Sequence, residues 1–204
     1  YGLYAFYFTI SGFLQFFDFG FSPTINRELA RYSVATNKGN ETVVLTRTME
    51  AIYIALGIAL GICLIGASPF LANYWLKTSM DTSTVQTALV LMAILVVMQW
   101  PLSFYQGGIN GLQKQTKLVT LQVAISTLKH GMGILLLILY PNILLLFGWF
   151  ILITAVQSLL SALLLWKYLP APWLSTRPSF VSIKPVRKFA IGSALTSFAS
   201  IPLI

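Results

Sequence analysis

Five stretches of this chain, residues 1–19, 51–72, 85–105, 118–140 and 143–166, are apolar and nearly free of charge. As helices rising ~1.5 Å per residue, each is long enough to cross ~30 Å of hydrocarbon. A sixth such stretch begins near residue 189 and runs to residue 204. A transmembrane barrel instead needs alternating segments of ~10 residues, and none is present. With 57% hydrophobic and 9% charged residues, the chain reads as an all-α integral membrane protein, a polytopic helical bundle. Because residue 1 opens inside one apolar stretch and residue 204 falls inside another, the sequence is expected to belong to a longer chain. An odd number of spans, most simply one, is expected upstream.

Positive charge orients the bundle. Eleven Lys and Arg side chains fall in the segments 20–50, 106–117 and 167–188, whereas the opposite side carries Lys77 alone. Basic loops stay in the cytoplasm, so those three segments are expected inside, with 73–84 and the tight Pro141–Asn142 turn outside. The net charge of +8 is accounted for by topology and anionic lipid headgroups and requires no nucleic acid. Ser22–Pro23 predicts a helix start, with Ser22 as N-cap and Pro23 at the first position, leading into a short surface helix over 24–34. Residues 169–188 contain Pro170, Pro172, Pro178 and Pro185 and predict a cytoplasmic linker between two groups of spans.

Polar residues inside the spans recur at helical spacing. Gln122, Ser126, Lys129 and Gly133 share one face of their span, and so do Ser11, Gln15, Asp18 and Ser22; Gln99, Ser103, Gln106 and Asn110; and Thr154, Gln157 and Ser161 in theirs. Taken singly, such residues serve as interhelical hydrogen-bond glue worth ~0.6 kcal/mol per contact. Four matching stripes together predict a hydrated interior cavity. Lys129 and His130 sit eleven residues from either end of 118–140, where a cation costs roughly 2.5–3.5 kcal/mol even on the lenient insertion scale. Lys129 is too central to snorkel, so it either faces the cavity or pairs with a carboxylate, such as Glu50, from another helix. His130 is placed to assist it or to donate to a backbone carbonyl. Asp18 has three roles open to it: capping, pairing with Arg27 or Arg31, or carrying a coupling ion. Arg27 and Arg31 are four apart on one face, as topology charges or as a guanidinium pair suited to phosphate. Pro101 predicts a kink in its span, and Gly57 with Gly61 predicts close helix approach.

Enzyme chemistry finds little support in the residues. The acids Asp18, Glu28, Glu41, Glu50 and Asp81 are scattered, Cys63 is the single cysteine, and metal-ligand spacing of the HExxH kind is absent. Neither a metal nor a cofactor is expected.

Two runs carry a family resemblance. Residues 1–31, YGLYAFYFTISGFLQFFDFGFSPTINRELAR, with the motif D-x-G-x-S-P-T-x-x-R-E, resemble the second-helix region of the polysaccharide and O-antigen flippases, within the multidrug, oligosaccharidyl-lipid and polysaccharide exporter superfamily. Residues 105–115, YQGGINGLQKQ, are similar to the fourth-helix exit of the same family. The resemblance implies two six-helix lobes around a central cavity. Residues 1–168 would then form the N-terminal lobe of a two-lobed transporter, 169–188 the cytoplasmic inter-lobe linker, and 189–204 the start of the next span. It further implies a multi-pass protein of the bacterial cytoplasmic (inner) membrane that moves an undecaprenyl-pyrophosphate-linked oligosaccharide between leaflets. H+ or Na+ would be the coupling ion, and a polysaccharide polymerase a partner. On that reading Lys129, His130, Gln122, Ser126, Arg27 and Arg31 are the expected substrate contacts, and Asp18 and Glu50 the candidates for ion coupling. A cation antiporter or a peptidoglycan-precursor flippase of the same superfamily, a membrane-embedded glycan-processing enzyme and a purely structural scaffold are the competing readings.

Overall fold

The computed structural model describes residues 7–9, 12, 18, 20–34, 39–75, 81–170, 177–179 and 192. Helices dominate it, and no strand occurs among the described residues. In chain order they are α1 (Phe21–Val34), α2 (Gly39–Phe70, continuing through a π-helical turn at Leu71–Trp75), α3 (Thr82–Gln99), α4 (Pro101–Gly111), α5 (Gln115–Leu139) and α6 (Ile143–Lys167). Four units, Gly39–Asn73, Thr82–Gly111, Gln115–Leu139 and Ile143–Lys167, are long and apolar enough to cross a membrane. They coincide with four of the predicted spans. Most of the predicted span 1–19, the predicted span from 189, and most of the 169–188 connection lie outside the described residues.

The helix breaks follow from local chemistry. Pro101 has no N–H to donate and opens α4 directly after α3, so the third predicted span is one rod of two helices meeting at Trp100, whose backbone stays helical. Pro69 near the end of α2 likewise cannot donate to the Ile65 carbonyl; the Ser68 hydroxyl takes its place at 2.8 Å, and the Asn73 amide reaches the Pro69 carbonyl at 2.8 Å. Between α4 and α5 the chain turns through Gln113 at φ 58°, with Gln113 N–H donating to Asn110 and Lys114 N–H to Ile109. These are the two bonds of a Schellman C-cap. The Pro141–Asn142 turn is a tight one, as expected, and the Asn142 side chain caps α6 by accepting from Leu144 N–H at 2.9 Å.

The start of α1 differs from the sequence expectation. The helix begins at Phe21, and the Ser22 N–H is taken by the Asp18 carboxylate at 3.0 Å. A carboxylate is the stronger acceptor at a helix N-terminus. That leaves the Ser22 hydroxyl free to donate to the Ser103 carbonyl of α4 at 2.9 Å. Close approach of α1 and α4 requires glycine, since a Cβ on Gly107 would lie 2.6 Å from the Ser22 carbonyl oxygen. The predicted Gly57 and Gly61 contact is also present: Trp100 lies over Gly57 and Val97 over Gly61.

Packing divides into two apolar clusters. One gathers Ile25, Leu29, Tyr53, Phe104, Ile109 and Leu165 from α1, α2, α4 and α6. The other joins Val85, Leu89 and Met92 of α3 to Phe147 and Phe150 of α6, with Tyr7 against them. Beyond α6, Leu169 is buried in the first cluster. Further on, Ser179 returns to α2, where its N–H donates to the Thr48 hydroxyl at 2.8 Å.

Candidate functional site: a polar cavity among the helices

Three of the four polar stripes meet in one place, and the fourth contributes its lysine. A cavity of about 550 Å³ is lined by Asp18 and Ser22, by Gln99, Ser103 and Gln106 of α3 and α4, by Thr154 and Gln157 of α6, and by Lys129 of α5. Tyr53, Val96, Trp100, Leu102 and Pro23 complete the wall. Ser11 and Gln15 of the first stripe lie outside the described residues.

Lys129 has no carboxylate at ion-pair distance among the described residues. Its ammonium donates to the Thr154 hydroxyl at 3.0 Å and sits 4.9 Å from the centre of the Phe150 ring, a cation–π contact. The backbone beneath it is fixed as well, since the Trp149 indole donates to the Lys129 carbonyl at 3.0 Å. Two neutral contacts leave the charge unneutralised, and two of the three ammonium protons remain available to a ligand.

Asp18 lies in the same cavity with different surroundings. One carboxylate oxygen accepts from the Tyr53 hydroxyl at 2.5 Å and from Ser103 at 3.1 Å, and the other accepts from Ser22 N–H. The Tyr53 and Ser103 hydroxyls are themselves 2.5 Å apart. Asp18 thus joins α1, α2 and α4 at one point. Tyr53 also stacks on Trp100, with ring centres 5.4 Å apart and planes 26° from parallel.

The other expected site residues are dispersed. Gln122 is half-buried and Ser126 exposed, and neither lines the cavity. The inward face of α5 runs through Leu118, Ile125, Lys129 and Gly133; Ser126, one step of ~100° beyond Ile125, falls at its edge. His130 is exposed, its ring edge-on to Phe150 at 5.7 Å. Arg27 and Arg31 both reach Glu28, at 2.6 and 3.3 Å. Glu50 is fully buried away from the cavity, where it pairs with Arg47 at 2.6 Å and accepts from Tyr105 at 2.9 Å and Trp166 at 3.2 Å. Among the aromatic side chains of α4 and its N-terminal flank, Trp100 lines the cavity, whereas Tyr105 is turned to Glu50. Sequence reasoning passed over Tyr53. Its signal was a phenol inside an apolar span, whose hydroxyl must find a partner when buried.

A family model described as "Polysaccharide biosynthesis protein" matches residues 1–201. The chain belongs to that family. No curated protein and no solved structure matches it. Family membership and the four apolar spans make it a multi-pass membrane protein with a transport role connected to polysaccharides. The two sequence runs that resemble the flippases are partners in space: Ser22 of the first packs on Gly107 of the second, and Asn26 on Gly111. The same contact positions Asp18, Ser22, Ser103 and Gln106 on the cavity wall.

Proposed function

We propose that this chain provides the N-terminal lobe of a flippase that carries undecaprenyl-pyrophosphate-linked oligosaccharide repeat units from the cytoplasmic to the outer leaflet of the bacterial inner membrane. The observation that carries the proposal is Lys129, a cation in a polar cavity with no carboxylate at ion-pair distance among the described residues. A half-buried ammonium at membrane depth without a counter-ion is costly, and a phosphate entering the cavity supplies one. Gln99, Gln106, Gln157 and the hydroxyls replace water at the sugars, while the polyprenyl tail stays in lipid. The cavity opens alternately to the two leaflets, and Asp18 serves as the ion-coupling group. On this reading Gln122, Ser126, Arg27, Arg31 and His130 act along the route to the cavity, and Glu50 holds the bundle together.

Asp18 also favours a second reading, a cation antiporter of the same superfamily. Its carboxylate, however, already accepts three hydrogen bonds from fixed donors, whereas Lys129 keeps unused donors. Reconstitution in liposomes separates the two. The flippase reading expects a labelled polyprenyl-pyrophosphate oligosaccharide to cross and a cationic dye to stay; the reverse pattern overturns it.

A further inference from the structure

On the side of α5 and α6 away from the cavity, the groove between the two helices ends in unneutralised positive charge. Lys114 at the start of α5, Lys117 in its first turn and Lys167 at the end of α6 are exposed, and none makes an ion pair with a described residue. The Lys114 ammonium lies over the half-buried Tyr168 ring, 5.2 Å from its centre, so the two helix ends meet there. No acid stands in the first turn of α5, where the macrodipole itself disfavours cations. The two lysines of α5 thus work against the helix that carries them.

Helix geometry sets all three on one side. α5 and α6 run antiparallel, with Lys114 against Tyr168, Lys129 against Thr154 and Gly133 against Phe150. In an antiparallel pair, moving one residue toward the N-terminus from the contact turns both helices, by ~100° each, toward the same side. From Lys129 that step reaches Leu128; from Phe150 it reaches Trp149, whose indole crosses to the Lys129 carbonyl at 3.0 Å. Thr154 lies on the other side, at the cavity. Lys117, Leu121, Ala124 and Leu128 continue the outer face along α5 at intervals of four, three and four, and Leu160, Leu164 and Lys167 continue it along α6 at four and three.

Both helices have 25 residues, a length of ~37 Å against ~30 Å of hydrocarbon, so their ends reach the headgroup layer. The groove therefore presents three cations at headgroup level with a row of exposed and half-buried aliphatic side chains running from them into the bilayer. A phosphate that carries acyl chains matches both features. An acidic protein or a free phosphate matches only the first. The positive-charge bias places this end of the helices in the cytoplasm.

We infer that the groove between α5 and α6 is a binding site for an anionic phospholipid of the cytoplasmic leaflet, with its phosphate held by Lys114, Lys117 and Lys167 and an acyl chain along Leu121, Ala124 and Leu128. The site is separate from the polar cavity and does not depend on what that cavity carries.

The test puts a photoreactive benzoylphenylalanine in place of Leu128, in the acyl-chain row, and reconstitutes the protein in bilayers containing a trace of radiolabelled phosphatidylglycerol or of phosphatidylcholine with the same chains. A lysine at the membrane surface contributes about fivefold to the attraction of an anionic lipid. Three together are expected to favour capture of phosphatidylglycerol by more than about tenfold. In Lys114→Gln/Lys117→Gln/Lys167→Gln the two lipids are expected to be captured within about twofold of each other, with phosphatidylcholine capture kept, which shows that the variant is folded in the bilayer. An equal loss of charge in the linker, Lys184→Gln/Arg187→Gln/Lys188→Gln, is expected to leave the preference in place. Equal capture of the two lipids with the lysines intact, a preference that survives their substitution, or one that disappears as fully in the linker variant overturns the inference.

Discussion

The ammonium of Lys129 lies 3.0 Å from the hydroxyl of Thr154, a neutral partner on the neighbouring helix. Thr154 is almost completely buried and orients the cation without neutralising it. Lys129→Ala is therefore expected to lower transport of a pyrophosphate-linked glycan by roughly 10- to 100-fold, the worth of a charge-assisted hydrogen bond. Thr154→Val removes only the orienting hydroxyl and should cost less than tenfold, about one neutral hydrogen bond. Flux in liposomes measured at equal protein level checks both; an unchanged rate in Lys129→Ala removes the anion station.

The Asp18 junction makes a stability prediction. Tyr53→Phe deletes the hydroxyl shared with Asp18 and Ser103 while keeping the ring stacked on Trp100. Loss of a hydrogen bond to a charged group should destabilise by ~1.5–3 kcal/mol. A melt in detergent reads this as a lower Tm. Tyr53→Leu, which also loses the stack, should fall further, and a Phe variant as stable as the parent contradicts the junction.

Glu50 is expected to act through structure. Arg47→Met leaves its carboxylate buried without its cationic partner, at a cost of about 3–5 kcal/mol. The double substitution Arg47→Met/Glu50→Gln removes the stranded charge and should recover much of that loss. A double-mutant cycle in thermal stability measures the coupling, and additive effects would show that the pair is energetically idle.

The contact of α1 with α4 predicts opposite behaviour at two glycines. Gly107→Ala drives a Cβ into the Ser22 carbonyl, at 2.6 Å. The helices must part, with an expected cost of ~1–3 kcal/mol. Around Gly131 nothing lies within 4 Å of an added Cβ, so Gly131→Ala should be neutral or gain up to ~1 kcal/mol from helix propensity. Comparing their melting temperatures tests the packing directly.

Much of this arrangement is legible in the residues. Hydrophobic length gave four of the spans, Pro101 the break within the third, and Gly57 with Gly61 the close approach. The polar stripes pointed to the cavity because spacing of three and four residues fixes which side chains share a face. Spacing does not fix where a packed face ends, so Ser126 reads as Lys129's neighbour although it lies at the edge of α5. Nor can it pair side chains between helices. Glu50 was one of the possible partners of Lys129, yet Arg47, one turn away on its own helix, claims it. The cap of α1 went to Asp18 instead of Ser22 for a related reason: the rule for N-caps compares residue types locally, and the hydroxyl had a partner on α4 that only the fold reveals.

The helix break at Pro101 divides the cavity wall itself, with Gln99 on one arm and Ser103 and Gln106 on the other. Gln106 stands five residues past the break, a lever of ~7.5 Å, so a change of ~10° in the bend carries it by ~1.3 Å. A hydrogen bond tolerates only a few tenths of an ångström of such drift. On the flippase reading proposed above, the angle of this one helix and the grip on a headgroup in the cavity form a single mechanical coordinate: flexing the rod is also letting go.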